Sequence, residues 1–259
     1  MTTGRRIDLN ADVGEATDRE GIAVERALLA LVSSVNVACG GHAGDATSMR
    51  ETVTAALAHG VRVGAHPSYP DRAGFGRRPM TLADDELEAT LREQIDALVG
   101  IARAGGTTVR SVKAHGALYG EVGRGESAYA ALQRAVRDCC APGTPLVLPA
   151  GSLAVTAARR AGVPVLQEGF CDRAYRPDGG LVDRSVAGAV LGDPDQAARQ
   201  AVGLALDGTV GLGDGSVLTR PVDTLCIHGD TPGALAVAQA VRAALAEAGV
   251  AVGPPPAGL

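Results

Sequence analysis

The chain of 259 residues contains few aromatic side chains: two phenylalanines, four tyrosines and no tryptophan. Extensive stacking on sugar rings is therefore not expected. Five of the six rings fall within or beside polar segments, namely Tyr69, Phe75, Tyr119, Phe170 and Tyr175. Aromatic rings give shape to small-ligand pockets, so this distribution predicts that they line one.

Other absences exclude further classes of protein. With a net charge of −5, a pI near 5.5 and no basic stripe, the chain is not expected to bind nucleic acid. No apolar run is long enough to cross a bilayer, and the first strand-like segment starts too early to leave room for a signal peptide. We therefore expect a cytoplasmic protein with no membrane partner. The five cysteines form no CxxC pair, which argues against a disulfide framework or a structural zinc site.

Apolar, strand-like segments alternate with helical patterns along the chain. Seven such segments occur: "RRIDLNAD", "VNVACGG", "VRVGAH", "VRSVKAHG", "PLVLPAG", "VPVLQEGF" and "DTLCIHGD". This alternation predicts a parallel sheet with right-handed crossovers, and seven units in one domain favour closure into a (β/α) TIM-like barrel. We expect a single domain over residues 1–259 with a frayed tail at 252–259.

Local signals place the ends of several helices. Asp45 is suited to cap the second helix, and Thr81 with Asp84 resembles a capping box for the third. Thr231 and Pro232 give the N-cap and first-turn signals of the last helix. The segment "TVGLGDGSVL" predicts a hairpin.

Polar residues recur where the strand-like segments end, which is where parallel α/β barrels carry their active sites. These residues are Asp8, Asn10, Asp12, Glu15, Asn36, His42, Asp45, His66, Asp71, Arg77, Arg78, Lys113, His115, Glu168, Asp172, Arg173, His228 and Asp230. They include four of the five histidines. The fifth, His59, precedes the helix-ending Gly60 and is interpreted as a cap. Converging titratable groups of this kind are typical of acid–base catalysis.

Several of these residues also have a structural interpretation. Asp8 and Asn10 alternate with apolar residues and can hydrogen-bond inside the barrel, and Asp45 has a sufficient role as a helix cap. A lysine within a strand, such as Lys113, requires a partner or a ligand when it is buried. The pair Arg77 and Arg78 either closes over an anion or is a solvated pair.

The glycine-rich segment "VNVACGGHAGD" at residues 35–45 allows two explanations, a tight turn or a loop that approaches a ligand. We expect its glycines to bring backbone N–H groups close to the ligand. A hard-ligand metal site of Asp12, His42, Asp45 and His66 is left open, although no HExxH or HxxxH spacing supports it.

Six motifs carry a resemblance to a known family: "DLNADVGEA", "SSVNVACGGHAGD", "GAHPSYPDRAGFGRR", "KAHGALYGEV", "EGFCDRAY" followed by "DGGLVDR", and "CIHGD". In this order they resemble the LamB/YcsF family, from Asp8 to the last helix. The chain departs from the family pattern at Ala114, where proline is usual, and at Gly169 and Cys171 in "EGFCDRAY". Neither departure removes an ionisable group.

The resemblance implies a seven-stranded barrel of the glycoside hydrolase/deacetylase type. It also implies the role of the A-type component of an ATP-dependent 5-oxoprolinase, which hydrolyses 5-oxo-L-proline to L-glutamate with partner subunits B and C. ATP, with Mg²⁺, is expected as co-substrate, bound by this chain or shared with a partner subunit. No structural metal is expected, and a homo-oligomer is left open.

Under this hypothesis the site needs a base for water, a proton carrier and cations. We expect Asp12 or Glu168 as the base, His66 or His115 as the proton carrier, and Lys113 at the developing oxyanion. The predicted substrate-binding residues are Asn10, Asn36, His42, Asp45, Arg77, Arg78, Tyr119, Arg173, Tyr175, His228 and Asp230. The alternatives are a metal-dependent deacetylase or amidohydrolase on the same barrel, and a non-catalytic subunit that binds a small acid.

Overall fold

The computed structural model describes residues 5–231 and 233–255. Its strands are β1 (Arg6–Val13), β2 (Ser34–Ala38), β3 (Arg62–His66), β4 (Val112–Lys113), β5 (Leu146–Pro149), β6 (Val165–Phe170), β7 (Thr209–Gly211), β8 (Val217–Thr219), β9 (Thr224–His228) and β10 (Ala251–Val252). Its helices are α1 (Arg19–Leu28), α2 (Ala46–Ala58), α3 (Asp84–Ala104), α4 (Gly116–Gly123), α5 (Ser127–Cys139), α6 (Leu153–Arg160), α7 (Pro194–Asp207) and α8 (Ala234–Glu247).

Seven parallel strands close into a barrel. The strand order is β1-β2-β3-β4-β5-β6-β9, and β9 pairs again with β1, so the sheet has no free edge within this ring. The predicted seven-stranded α/β barrel is therefore confirmed. The predicted hairpin is the antiparallel pair of β7 and β8.

Polar side chains lie inside the barrel at β1, because apolar and polar residues alternate strictly along this strand. Its apolar residues Ile7, Leu9, Ala11 and Val13 belong to the hydrophobic core, whereas Asp8, Asn10 and Asp12 are buried and bonded to polar side chains of other strands. Barrel interiors are usually filled with branched apolar residues. Polar groups buried here need partners, and the hydrogen bonds described below supply them.

Two helix starts differ from the prediction. Helix α3 begins at Asp84 after the N-cap Ala83, so Thr81 lies too far upstream to cap it; three acids in the first turn face the positive end of the helix instead. Helix α8 has Gly233 as its N-cap, so Thr231 does not cap it, and Pro232 lies outside the described residues.

The predicted tail begins with residues that contact the barrel. Strand β10 pairs with β1, the N–H of Gly253 donates to the carbonyl of Ile7, and Arg62 donates to the carbonyl of Pro255 at 2.7 Å. Residues 256–259 lie outside the described part of the chain. Among the described helices, none combines the length and apolar character that a bilayer crossing requires.

Candidate active site

Lys113 lies at the centre of the carboxyl-terminal end of the barrel. Its Nζ lies 2.9 Å from Oδ1 of Asp12, 3.0 Å from Oε1 of Glu168 and 3.2 Å from Sγ of Cys226. The lysine is only 3% exposed and both carboxylates are buried. One ammonium group therefore faces two acids in a region of low polarity, where charge interactions are strong.

Two asparagines support these acids from below. The Nδ2 group of Asn36 donates to Oδ1 of Asp12 and to Oδ1 of Asn10, each at 2.8 Å. The Nδ2 group of Asn10 donates to Oε1 of Glu168 at 3.1 Å and to Oγ1 of Thr224 at 2.7 Å. The acids are therefore held in fixed positions relative to the lysine.

The charges in this centre shift one another's pKa values. Burial alone would lower the pKa of Lys113, but Asp12, Cys226 and Glu168 raise it well above its ordinary value. Burial alone would raise the pKa of Asp12, but His66 and Lys113 hold it well below its ordinary value. An ammonium ion and a carboxylate are therefore the stable forms of Lys113 and Asp12.

Beside this centre lies a second group, here called the histidine cluster, which consists of Glu15, His42, His66 and His115. Nε2 of His42 lies 2.8 Å from Oε1 of Glu15, and Nδ1 of His115 lies 3.0 Å from Nε2 of His66. The rings of His42 and His115 stack with centroids 3.6 Å apart. Burial lowers the pKa of His42 to about 2 and raises that of Glu15 to about 8, the latter with a contribution from Asp12.

Two loops place the cluster. The carboxylate of Glu25 accepts the backbone N–H groups of Gly14, Glu15 and Ala16, each at 2.9 Å, which fixes the loop after β1. The loop after β3 includes Phe75, which has a left-handed backbone with φ of 54°. Its carbonyl accepts a hydrogen bond from Nε2 of His115 at 2.9 Å. A strained conformation at this point is consistent with a functional constraint.

A third group of residues, around His228 and Asp230, forms the opposite wall of the site. Nδ1 of His228 lies 3.0 Å from Oδ1 of Asp172, and its ring stacks on Phe170. Asp230 forms ion pairs with Arg77 and Arg184. Burial alone would raise the pKa of Asp230, but the nearby charges of Arg184, His228 and Arg77 hold it below its ordinary value.

These groups surround a cavity of about 910 Å³ at the carboxyl ends of the strands. Of the predicted residues, those on its wall are Asp12, His66, Arg77, Lys113, His115, Tyr119, Glu168, Arg173, Tyr175, His228 and Asp230. His66, Lys113, Glu168 and His228 therefore share one cavity, as the barrel hypothesis requires. A smaller cavity of about 190 Å³ at the other end of the barrel is lined by Asp8, Asn10 and Asn36 among others.

Some predicted residues lie elsewhere. Asp45 is exposed and caps α2, accepting the N–H groups of Thr47 and Ser48, so the prediction that it binds substrate or a metal is corrected. The side chain of Arg78 is mostly exposed, pairs with Asp71 and does not line the large cavity. Asp45 binds backbone N–H groups and Arg78 pairs with a carboxylate of its own loop. The sequence alone does not show whether such a side chain binds a local partner or a ligand.

Other residues lie behind the wall or are already engaged. His42 lies behind the wall, within the histidine cluster, and Asn10 and Asn36 lie beneath the acids. Arg173 donates to the carbonyls of Ala189 and Val182 and therefore mainly holds its own loop. The Tyr175 hydroxyl accepts the N–H of Phe170 at 2.7 Å.

Two of the three glycines in residues 35–45 are closely packed in the turn, and the approach of their backbone to a ligand stays a prediction. A Cβ on Gly41 would lie 2.4 Å from Oε1 of Gln94, and one on Gly44 would lie 2.8 Å from the carbonyl of Ala38. Close packing therefore requires glycine here, and neither residue lines the large cavity.

The structure also adds residues that the sequence patterns do not single out as site residues. Glu15 belongs to the histidine cluster, and its position in "DLNADVGEA" is the available signal. Asp172, which lies beside His228, is marked by the sequence only as one residue of the rim. Cys226 contacts Lys113 and Arg184 pairs with Asp230. They lie in the motifs "CIHGD" and "DGGLVDR", but neither is among the predicted site residues.

Asp45→Ala tests the corrected role of Asp45. Loss of the cap is expected to cost about 1 kcal/mol of stability, within the usual range of about 0.5–2 kcal/mol. Ligand affinity at the large cavity should stay at the wild-type value, because the side chain faces solvent. Urea unfolding and a ligand-binding measurement check the two expectations. A tenfold loss of affinity at unchanged stability would show that Asp45 contributes to ligand binding.

The fold and the site together define a seven-stranded (β/α) barrel with a polar ligand site at the carboxyl ends of its strands. The chain belongs to the LamB/YcsF family, whose model matches residues 7–258. The resemblance predicted from the motifs is thus confirmed.

Relatives and a solved structure agree with this assignment. The chain is 48% identical over 248 residues to the 5-oxoprolinase A component of Methylococcus capsulatus, covering 96% of this chain and 95% of the relative. It is 51% identical over 247 residues to the protein of the same name from Streptomyces griseus, covering 95% and 98%. The crystal structure of a lactam utilization protein from Thermus thermophilus superposes with a TM-score of 0.87 at 43% identity, covering 96% of this chain and 99% of that one.

Proposed function

We propose that this chain is the component of an ATP-dependent 5-oxoprolinase that binds 5-oxo-L-proline and opens its lactam ring to give L-glutamate. Two polar atoms beside Lys113 carry the proposal: Oε2 of Glu168 and the hydroxyl of Tyr119 are buried close to each other, and neither is hydrogen-bonded to any further residue in the described part of the chain. Buried polar groups are normally paired, so these atoms mark a place where a polar ligand binds. The name of the relatives, which are 5-oxoprolinase components, supports the choice of ligand.

A five-membered lactam fits the chemistry of this position. Its carbonyl oxygen is an acceptor for the ammonium of Lys113. Its ring N–H is a donor for the hydroxyl oxygen of Tyr119, which leaves the free oxygen of Glu168 for the attacking water. The ring carboxylate needs a cation, and Arg77 and Arg184 on the cavity wall supply one. Arg78, which was predicted for that role, lies outside the cavity, and Arg173 is held by carbonyls.

In the proposed reaction Lys113 stabilises the negative charge on the lactam oxygen while that oxygen attacks the γ-phosphorus of ATP, and Glu168 then removes a proton from the water that attacks the ring carbon. Burial and the nearby Glu168 raise the pKa of Tyr119 well above its ordinary value, so its hydroxyl stays protonated and can donate to the departing nitrogen. Asp12 holds Lys113 in place. His66 and His115, predicted as proton carriers, are bonded to each other and receive no proton-transfer step here.

ATP fits the outer part of the cavity better than the inner part around Lys113. The carboxylates around Lys113 would repel phosphate groups, whereas Arg176 and Arg220 line the cavity together with Gly179 and Gly180. We propose that these arginines hold the phosphates, with Mg²⁺, in a site shared with partner subunits B and C. When bound, ATP transfers its γ-phosphoryl group to the otherwise unreactive lactam oxygen and leaves as ADP. Cleavage of the ring C–N bond after water attack then gives an acyl phosphate, whose hydrolysis releases phosphate and L-glutamate.

Glu168→Gln in a complex reconstituted with subunits B and C tests the proposal. Because the amide cannot act as a base, we expect ATP-dependent glutamate release to fall about 100-fold or more, in line with general-base contributions of about 10²–10⁴. Glu20→Gln, on the exposed side of α1, is the matched control and should keep wild-type activity. Wild-type turnover by Glu168→Gln would exclude the proposed base.

The histidine cluster favours one second candidate, a metal-dependent amide hydrolase on the same barrel that needs no ATP. The same assay separates the two. Omission of ATP and of subunits B and C should abolish turnover under the first proposal and leave it unchanged under the second.

A further inference from the structure

Asp230 joins two arginines that come from different loops at the carboxyl end of the barrel. Its Oδ2 forms an ion pair with Nη2 of Arg77, in the loop after β3, and lies 3.3 Å from Nη1 of Arg184, in the loop after β6. All three side chains line the large cavity, as Lys113 and Glu168 do. One carboxylate therefore links two cations on the wall of the proposed lactam site.

The two guanidinium groups would repel each other without this carboxylate, because arginine stays charged in proteins. Positive charge is concentrated here: burial lowers the pKa of the neighbouring Arg173, and the charges of Arg184 and Arg77 lower it further. Asp230 is ionised, because the same two charges and that of His228 outweigh the effect of burial on its pKa. Asp230 is therefore the group that holds the two arginines together.

Asp230 uses only part of the binding capacity of the two arginines. An arginine presents its N–H donors in a planar fork that matches a carboxylate. Within the described part of the chain, Asp230 is the only hydrogen-bond acceptor of the Arg77 and Arg184 side chains, and it engages one terminal nitrogen of each. Two positive charges facing one negative charge also leave an excess of positive charge. The remaining donors and this excess fit one further carboxylate.

A ligand carboxylate can reach the arginines either beside Asp230 or in its place. Displacement would leave the partly buried carboxylate of Asp230 without its cations, and an unpaired charge is costly to bury. Binding beside Asp230 keeps every charge next to an opposite one. The guanidinium of Arg77 also lies over the ring of Phe75, 4.8 Å from its centroid, which restricts its movement. The geometry therefore favours a ligand that binds beside Asp230.

We propose that Asp230 is a positioning residue that holds Arg77 and Arg184 in place to bind the carboxylate of the lactam. It would thereby select 5-oxo-L-proline over lactams that lack a carboxylate. This inference rests on the proposed function and names the part of the site that recognises the acid group. Arginines that are already in position lose less freedom on binding, which raises affinity. Because Lys113 and Glu168 act on the ring, Asp230 should affect binding more than the chemical step.

Asp230→Asn in the complex reconstituted with subunits B and C tests the proposal. The amide has nearly the same shape but no charge, so the arginines lose their shared anion. We expect KM for 5-oxo-L-proline to rise about 10- to 100-fold, as for loss of a hydrogen bond to a charged group. The value of kcat should stay within about twofold of wild type, because uniform binding is lost and not transition-state stabilisation.

Calorimetry on the same complex without ATP compares two ligands, 5-oxo-L-proline and 2-pyrrolidone, which has the same ring and no carboxylate. The wild type should prefer 5-oxo-L-proline. Asp230→Asn should lose this preference while its affinity for 2-pyrrolidone stays unchanged, which a merely structural role would not produce. Asp230→Glu restores the charge and should recover much of the affinity for 5-oxo-L-proline.

Asp138→Asn is the matched control. Asp138 also pairs with two arginines, Arg92 and Arg137, and its side chain is 25% exposed against 28% for Asp230, but it lies outside the large cavity. Its replacement should leave KM, kcat and both affinities unchanged.

Three results for Asp230→Asn would overturn the proposal. A lower KM would mean that Asp230 competes with the substrate for the arginines, an unchanged KM would mean that it has no part in binding, and equal losses of affinity for both lactams would mean a structural role. A wild-type complex without a preference for 5-oxo-L-proline would overturn it as well. A complex that binds 5-oxo-L-proline but releases no glutamate would contradict the proposed function alone, and the two affinities would still decide the role of Asp230.

Discussion

Lys113→Met is expected to abolish activity and to destabilise the fold, the largest effect of any single change in the site. Methionine preserves the length of the side chain but leaves the buried carboxylates of Asp12 and Glu168 without their shared cation. Breaking a buried ion pair by removing one partner costs about 3–5 kcal/mol. Loss of an oxyanion donor lowers turnover about 10²–10³-fold. Urea unfolding and ATP-dependent glutamate release by the reconstituted complex measure the two effects.

Combining Lys113→Met with Glu168→Gln separates charge from packing. The second change removes one uncompensated carboxylate, so we expect the double variant to be more stable than Lys113→Met alone while it stays inactive. If stability is not recovered, the destabilisation comes from lost packing. Activity within tenfold of wild type in a folded Lys113→Met would contradict the proposed role of the lysine.

The barrel could be predicted from the sequence because each strand carries its own signal. Apolar runs that end in Asn, Asp, His or Gly recur with a helix after each, and the rules for parallel crossovers leave few other arrangements. Helix α4 escapes prediction because three glycines among its eight residues weaken the helical pattern, and helix propensity is low at glycine.

The set of polar residues that come together in the site could be predicted only in part. Lys113 is recognisable because a lysine inside a strand needs a partner, and the structure supplies Asp12 and Glu168. Asp45 and Arg78 were predicted at the site but lie outside the large cavity, because Asp45 caps α2 and Arg78 pairs with Asp71. Glu15 cannot be selected from spacing alone, because its place depends on a contact with Glu25 in the following helix.

The short loop that carries Phe75 and Gly76 shows how backbone geometry, which has no clear sequence signal, decides the site. Phe75 and Gly76 both have left-handed backbone conformations, with φ of 54° and 63°. The carbonyl of Phe75 orients His115, and the carbonyl of Gly76 accepts the N–H of Ala117 at 3.0 Å. The motif "GFGRR" suggests a hinge over an anion, whereas the structure uses it to hold the rings of the histidine cluster.

Gly76→Ala is therefore expected to disrupt the site with a single methyl group. The new Cβ would lie 2.9 Å from Cδ2 of His115 and 3.0 Å from Cβ of His42, closer than carbon atoms pack. The left-handed backbone costs about 1–2 kcal/mol for alanine, and overpacking adds about 1–3 kcal/mol. We expect a loss of about 2–5 kcal/mol in urea unfolding, together with loss of glutamate release.

Gly162→Ala isolates the backbone contribution to this effect. Gly162 has nearly the same φ, 67°, and its Cβ would meet nothing within 4 Å. Only the left-handed cost of about 1–2 kcal/mol should appear there, with turnover unchanged. The difference between the two variants measures the contact with the rings of His42 and His115. Equal effects of both substitutions on stability and on turnover would mean that Gly76 is required for the turn alone and that the histidine cluster tolerates displacement.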